Sequence, residues 1–171
     1  GRGQRRRRRR GCPYARGLKL RCGRFELSLE RPLVMGVINV TPDSFSDGGK
    51  YLDPQAAIAH ARRLIGEGAD IVDVGGESTR PGAAPVSGNE ELARILPVLE
   101  ALRDVPVSVD TRRPRVMRAA LGAGASMIND IEALRAPGAL EAVAGSDCAL
   151  CLMHMRGTPE TMQQDPSYGD V

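Results

Sequence analysis

From Pro32 onward, short apolar segments alternate with longer segments of helical period. The apolar segments cover residues 33–39, 70–74, 107–110, 126–129 and 149–153. Between them, helical segments begin near Pro54, Ser87, Pro114 and Pro137. Short, nearly continuous apolar runs are typical of strands covered on both faces, and their strict alternation with helices predicts a parallel sheet with helical crossovers. We therefore expect an α/β chain with the element order (βα)₄β.

Local signals place the starts of two of the helices. Asp53 followed by Pro54 is typical of an N-cap and a first-turn proline. Ser87 with Glu90 three residues later resembles a capping box at the start of the second helix. Pro97 lies inside that second helix and is expected to bend it, because proline cannot donate to the carbonyl four residues earlier.

Polar residues at the strand ends distinguish two architectures, a doubly wound open sheet and a (β/α)₈ barrel. The strands end at or near Asn39, Asp73, Asp110, Asn129 and His154, which is how a barrel builds its catalytic face. The glycine-rich phosphate motifs of open nucleotide-binding sheets do not occur in the sequence. A whole barrel has eight strands and about 250 residues. We therefore expect a (β/α)₈ TIM barrel truncated to about five strands and four helices.

Charge divides the chain near residue 31. Residues 1–31 carry twelve basic and two acidic side chains, whereas the remainder carries twelve basic and nineteen acidic ones. Residues 5–10 are all arginine, and six adjacent guanidinium groups repel one another and cannot share a core. We expect 1–31 to be a disordered or non-native leader and 32–171 to be the N-terminal part of the barrel domain.

The leader has three interpretations. No apolar segment in it is long enough for a secretory signal, which excludes that function. A run of arginines could bind nucleic acid or another polyanion, and the chain would then be a non-catalytic binding fragment. Alternatively, since the chain begins at Gly1 rather than methionine, the leader is a trimmed, tagged or mis-started reading frame.

The four cysteines are Cys12, Cys22, Cys148 and Cys151, and the last two have the C-x-x-C spacing of zinc and redox sites. Both lie in an apolar run that predicts a buried strand, on which residues three apart point to opposite faces. Such a pair cannot share a metal. We expect the cysteines to be core thiols in the reducing environment of the cytoplasm.

Two loops carry the residue types that bind anions. The first, at 39–49, is rich in hydroxyls and carboxylates, surrounds Phe45 and offers the carbonyl oxygen of Asn39 to a hard cation. The second, at 75–82, places Arg80 and two hydroxyls between paired glycines and a Pro-Gly turn, which suits phosphate or carboxylate. An ordinary surface loop and a salt-bridged surface arginine are the structural alternatives.

These loops contain two motifs that resemble those of dihydropteroate synthase. They are Asn-Val-Thr-Pro-Asp-Ser-Phe-Ser-Asp-Gly-Gly at 39–49 and Glu-Ser-Thr-Arg-Pro-Gly at 77–82. Supporting matches lie at 108–111, 128–131 and 151–155, so the resemblance extends from Val34 to the end of the chain. Related pterin-dependent methyltransferases share the barrel and the polar strand ends and are the alternative. The first loop, with its phenylalanine, is more similar to the synthase.

The resemblance implies a (β/α)₈ enzyme of folate synthesis. Such an enzyme joins 4-aminobenzoate to the C9 carbon of 6-hydroxymethyl-7,8-dihydropterin diphosphate and expels diphosphate with the help of Mg²⁺. Homodimers are common in this family, and the resemblance leaves a homodimer open for the full-length protein. The composition predicts no membrane partner, and the acidic charge of residues 32–171 does not favour nucleic acid.

Carried over by position, Asp110 and Asn129 are the catalytic pair that binds the pterin. A buried carboxylate and an amide that offers both donor and acceptor suit a planar, donor-rich heterocycle. Asn39 matches the ligand of Mg²⁺ and diphosphate, and Thr79 matches a hydroxyl that contacts substrate.

The remaining candidates are in the two loops and at the strand ends. Phe45, Arg80 and Pro81 lie where the loops are expected to fold over diphosphate and aminobenzoate. Met153 is either an apolar wall of the pterin pocket or part of the core. Three further polar residues either cap a strand end, orient a loop or touch substrate: Asp73, Glu77 and His154.

The resemblance also implies residues from later strands that this sequence lacks. These are an aspartate in a Gly/Phe-rich segment, a lysine in a Ser-Arg-Lys-type segment and an Arg-x-His pair. The only lysines are Lys19 and Lys50, and neither is at a matching place. We therefore expect these 171 residues to be inactive alone, with two open sheet edges and an uncovered barrel interior.

Overall fold

A computed structural model describes residues 17–41, 53–77, 86–158, 161–164 and 167–169. Its elements are β1 (Lys19–Cys22), β2 (Phe25–Ser28), β3 (Met35–Asn39), α1 (Pro54–Glu67), β4 (Ile71–Gly75), α2 (Gly88–Ala101), β5 (Val107–Asp110), α3 (Pro114–Ala123), β6 (Met127–Asp130), α4 (Ala139–Val143) and β7 (Ala149–Leu152). Strands β3 to β7 form one parallel sheet in chain order. The predicted alternation of strands and helices is confirmed.

The helix ends follow the local signals. The side chain of Asp53 accepts a hydrogen bond from a first-turn amide of α1, and Ser87 accepts one from the amide of Glu90 at 3.2 Å. Only this half of the capping box forms as such, since the Glu90 carboxylate pairs with Arg94 in the next turn at 2.5 Å. Helix α2 continues through Pro97 to Ala101.

The core lies between the sheet and its helices. One residue from each of β3 to β6 points to the helical side and is at most 1% exposed: Ile38, Val74, Val109 and Ile128. Residues of α1, α2 and α3 cover them, among them Ala57, Leu99 and Met117. Alternate strand residues point to the opposite face, the interior of the barrel curve, and the polar strand ends belong to this face.

Residues 19–28 correct the expectation of a disordered leader. They form the antiparallel hairpin β1–β2, in which Cys22 is fully buried. The hairpin packs on Ile71, Met127 and Ala149 at the amino ends of the parallel strands. Apolar residues alternate with charged or polar ones along both strands, which is typical of a half-buried hairpin. The net charge of the leader does not reveal this alternation. The arginine run at 5–10 lies outside the described residues.

The C-terminal cysteines also differ from the expectation of core thiols. Cys148 is partly buried and precedes β7, and Cys151 is exposed on it. The reason is that β7 is an edge strand of the described sheet, where Leu150 and Leu152 are also exposed. At the other edge, Val37 of β3 is 57% exposed. Both edges of the described sheet therefore present apolar side chains to solvent.

Among the described helices, none has the length and apolar character that a bilayer span requires.

Candidate functional site

One row of aligned residues crosses all five parallel strands at their carboxyl ends. In register, Asn39 pairs with Gly75, Gly75 with Asp110, Asp110 with Asn129, and Asn129 with Cys151. Residues paired in this way point their side chains to the same face of a parallel sheet. The structure therefore brings Asp110 and Asn129 together on neighbouring strands, with Asn39 two strands away from Asp110.

Gly75 keeps the space between Asn39 and Asp110 open. A Cβ atom at this glycine would lie 3.5 Å from Oδ1 of Asn39 and 3.8 Å from Oδ2 of Asp110. Two side-chain oxygens from different strands thus approach one point above the glycine. Both are hard donors, the type that Mg²⁺ prefers.

Asp73 orients the amide of Asn129. It lies two residues before Gly75 on β4, is 4% exposed, and its Oδ2 accepts a hydrogen bond of 3.1 Å from Nδ2 of Asn129. Because one amide proton is held in this way, the carbonyl oxygen and the second N–H of Asn129 have defined directions. This contact is none of the three roles expected for Asp73: the structure shows its carboxylate holding the amide of Asn129 on another strand.

The pKa of Asp110 is raised from its usual value to about 7. Burial is the largest cause, followed by the nearby carboxylates of Asp73, Glu91, Asp130 and Glu77. Near neutral pH the Asp110 carboxyl therefore exchanges a proton readily, and a bound ligand that donates N–H bonds or carries positive charge will favour its ionised form.

Beside this row lies a cluster of charged residues of which the sequence indicates only Glu77. Arg113, just after β5, forms ion pairs of 2.7 Å with both Glu77 and Glu91. Burial raises the pKa of Glu77, but hydrogen bonds from Arg113 and from the amide of Val86 outweigh it and leave the pKa below its usual value. The adjacent arginines after Asp110 were the one signal in the sequence that could have indicated this cluster.

Asp130, the last residue of β6, closes a turn that the sequence does not predict. It is fully buried, and its two carboxylate oxygens accept hydrogen bonds from the amides of Glu132 and Leu134 at 2.8 and 2.7 Å. The turn that it closes places Ala133 and Leu134 at φ 53° and 60°, in the left-handed region. Such backbone strain, in the turn that follows Asn129 and Asp130, is typical of functional sites.

Comparison of this sequence with models of known protein families assigns it to one of them. A family model described as pterin binding enzyme matches residues 35–171. The chain belongs to this pterin-binding family.

Three similar proteins are all described as dihydropteroate synthases. Dihydropteroate synthase of Escherichia coli (strain K12) is 55% identical over 148 residues, which is 85% of this chain and 52% of the relative. Dihydropteroate synthase of Burkholderia cenocepacia, solved with 7,8-dihydropteroate, superposes with a TM-score of 0.77 at 55% identity, covering 89% of this chain and 52% of that one. The enzyme of Xanthomonas albilineans, solved with 4-aminobenzoic acid, superposes with a TM-score of 0.76 at 58% identity, covering 81% and 52%. The chain spans about half the length of the relatives it matches.

Several predicted residues of this pterin-binding chain lie outside the described residues, namely Phe45, Thr79, Arg80 and Pro81. Met153 is partly buried and, with His154, Ala133 and Arg135, lines an open cavity of about 290 Å³ beyond the end of β7. His154 is exposed and its ring lies 5.6 Å from that of Tyr168. Both residues are therefore at the carboxyl edge of the sheet, beside the row of aligned residues.

Proposed function

We propose that this chain supplies part of the active site of a dihydropteroate synthase. The reaction joins 4-aminobenzoate to 6-hydroxymethyl-7,8-dihydropterin diphosphate and releases 7,8-dihydropteroate and diphosphate. The observation that carries this proposal is the aligned set of Asp110 and Asn129 at the sheet edge, with Asn129 oriented by Asp73, in a chain of the pterin-binding family. The two relatives that are 55% identical to this chain are described as dihydropteroate synthases.

Asp110 and Asn129 would bind the pterin ring. The carboxylate of Asp110 accepts hydrogen bonds from ring or exocyclic N–H groups, and the Asn129 amide offers both an acceptor and a donor. Because Asp73 holds one amide proton of Asn129, the amide does not need to be ordered when the ring binds. This preorganisation lowers the entropy cost of recognition.

Asp110 would also assist the chemical step. When the bond between C9 and the diphosphate oxygen breaks, the electron pair leaves with diphosphate and positive charge develops on the pterin. A carboxylate beside the ring stabilises that charge. The amine of 4-aminobenzoate then forms the new C9–N bond and loses a proton. Since the pKa of Asp110 is about 7, kcat/KM of the synthase should fall as the pH drops below neutral, where the carboxylate is protonated.

Mg²⁺ fits the donor set above Gly75. The amide oxygen of Asn39 and the carboxylate of Asp110 are oxygen donors that approach one point, and Mg²⁺ is commonly held by one or two protein oxygens together with substrate phosphates and waters. The described residues contain no cluster of three or more His, Cys, Asp or Glu side chains that could hold a metal without substrate. We propose Asn39 as the protein ligand. When bound, Mg²⁺ would neutralise charge on the departing diphosphate.

The remaining parts of the proposal rest on the motifs. Thr79 and Arg80 would bind the anionic parts of the substrates, Phe45 and Pro81 would contact aminobenzoate, and Met153 would form an apolar wall of the pterin pocket. The compartment would be the cytoplasm, and the full-length protein would be a homodimer, which light scattering of that protein tests.

A chimera tests the proposed function. This chain replaces the matched half of the Escherichia coli relative, and dihydropteroate formation from 4-aminobenzoate and the pterin diphosphate is measured. We expect the chimera to form product and the 171-residue chain alone to form none. A folded, soluble chimera without synthase activity would contradict the proposal, and methyl transfer by it in the absence of aminobenzoate would support the methyltransferase alternative.

A further inference from the structure

Glu77 lies two residues after β4 and Val86 lies two residues before α2, and the side chain of Arg113 joins these two points. Arg113 donates from Nη2 to Oε1 of Glu77 at 2.8 Å and to the carbonyl oxygen of Val86 at 2.5 Å. From Nη1 it donates to Oε2 of Glu77 at 2.7 Å. Glu77 in turn accepts the amide proton of Val86 at 3.2 Å. We call Arg113, Glu77, Val86 and Glu91 the arginine clamp.

Glu91 of α2 anchors the arginine clamp in the core. Its side chain is fully buried, and its Oε2 accepts a hydrogen bond of 2.7 Å from Nη1 of Arg113. A charge-assisted, two-pronged contact of this kind fixes direction as well as distance, because the guanidinium plane holds its donors in a rigid fork. Glu77 and Val86 are therefore held against a residue that cannot move without disturbing the core.

The backbone of Arg113 is tied to the pterin site. It is the N-cap residue of α3 and follows Asp110 by three positions, and its amide donates to the hydroxyl of Thr111 at 3.2 Å. Arg112 extends the connection, since it lies 3.6 Å from Glu77 and donates to Glu132 at 2.9 Å. The ends of three strands thus meet through adjacent arginines.

We propose that Arg113 is a positioning residue of the substrate site: it fixes where the chain leaves β4 and re-enters α2 relative to Asp110. The segment between these points contains Thr79 and Arg80, so this inference rests on the proposed function. Arg113 itself does not touch the pterin residues Asp110 and Asn129 in any hydrogen bond that the structure describes. Its loss should therefore weaken the binding of 4-aminobenzoate more than it slows the chemical step.

Steady-state kinetics of the chimera test whether Arg113 affects the binding of 4-aminobenzoate more than the chemical step. We expect Arg113→Ala to raise KM for 4-aminobenzoate by about tenfold or more and to leave kcat within about threefold. Because Arg113→Ala leaves Glu91 buried without its cation, Glu77→Ala is the second variant; it opens the same connection while Arg113 and Glu91 stay paired. Arg113→Lys keeps the positive charge beside Glu91 but not the two-pronged contact, so its KM should lie between those of the parent and Arg113→Ala. Arg62→Ala, which removes an exposed ion pair on α1, is the control and should not change KM.

Hydrogen exchange in the 171-residue chain tests the geometry without any enzyme assay. The amide of Val86 should exchange at least about tenfold faster in Arg113→Ala and Glu77→Ala than in the parent and in Arg62→Ala. Unchanged exchange would overturn the arginine clamp itself. Faster exchange with an unchanged KM, or an equal loss of kcat and of affinity for both substrates, would overturn the positioning role while the synthase assignment stands. A parent chimera without activity would overturn both the assignment and the positioning role.

Discussion

The two ends of the parallel sheet carry different kinds of side chain: apolar at the amino ends, and polar or charged at the carboxyl ends. At the amino ends, the β1–β2 hairpin covers Ile71, Met127 and Ala149, and Cys22 is buried among them. At the carboxyl ends, carboxylates, an amide and arginines occupy the same sheet. Both ends belong to the same five strands, so the difference lies in which side chains the strand termini present.

This difference assigns stability to one end and chemistry to the other. Burial of apolar surface at the hairpin end stabilises the fold. At the other end, burial and nearby carboxylates raise the pKa of Asp110 to about 7, so ionising this side chain costs free energy. A site that holds such a residue needs the stability that the opposite end supplies.

The largest effect is expected at the carboxyl end and in activity alone. Asp110→Asn in the chimera should lower kcat/KM about 100–1000-fold, because the amide cannot stabilise positive charge on the pterin. Steady-state kinetics with both substrates measures this. The folded fraction should not fall, and a variant that keeps more than a tenth of the parent activity would exclude Asp110 from the chemical step.

The hairpin end should show the reverse pattern. Met127→Ala removes most of a side chain that is 5% exposed and should lower the free energy of unfolding by about 2–4 kcal/mol. Urea denaturation measures the change, and activity per folded molecule in the chimera should be unaltered. Leu140→Ala, at a residue 61% exposed, is the matched control. Equal losses for the two variants would contradict the packing of the hairpin end.

A smaller effect is the pH dependence of stability, which Asp110 at the carboxyl ends of the strands should cause. A carboxyl whose pKa is raised on folding makes the protein less stable as pH rises from its unfolded value near 3.8 to its folded value of about 7. Asp110→Asn removes this dependence, so it should raise stability at pH 8 relative to pH 4. We expect Asp110→Asn to gain about 2 kcal/mol in the free energy of unfolding at pH 8 relative to pH 4. This is half of the free energy that the whole pKa shift corresponds to, because the group is partly exposed.

Chemical denaturation of parent and variant at pH 4, 6 and 8 measures this difference. Asp104→Asn is the control with the opposite sign. Hydrogen bonds from Arg62 lower the pKa of that exposed carboxyl, so its contribution is present above its unfolded pKa and is lost only in acid. A stability gain for Asp110→Asn that does not change with pH would contradict the raised pKa.

The smallest effect is expected away from both ends. Arg62→Ala breaks an ion pair with Asp104 in which both side chains are well exposed. Such pairs are screened by solvent and salt. The denaturation midpoint should shift little, and 0.5 M salt should remove the shift; a clear loss that persists in salt would show that stability is not concentrated in the apolar end.

Local sequence signals predict much of the secondary structure and part of the candidate site. The boundaries of β5 agree with the prediction, and those of α1 do so within a residue or two, because caps and apolar runs are local signals. The meeting of Asp110 and Asn129 was predictable too, since carboxyl ends of parallel strands share one edge. The net charge of residues 1–31 does not predict the β1–β2 hairpin, which only the alternation of apolar and charged residues within 19–28 indicates.

The contacts that tune the site could not be predicted. Asp73 and Asn129 are 56 positions apart in the chain, and Arg113 and Glu77 are 36 apart. No local pattern relates such residues. Their pairing depends on strand register and on how α2 and α3 pack.

The sequence by itself determined the alternation of strands and helices and the polar character of the strand ends, because each depends on neighbours within a few residues. Only the tertiary structure decided that the pKa of Asp110 is raised to about 7 and that Arg113 joins Glu77 to Val86. A pKa and an ion pair depend on burial and on distances between charges, and folding sets both by bringing remote parts of the chain together.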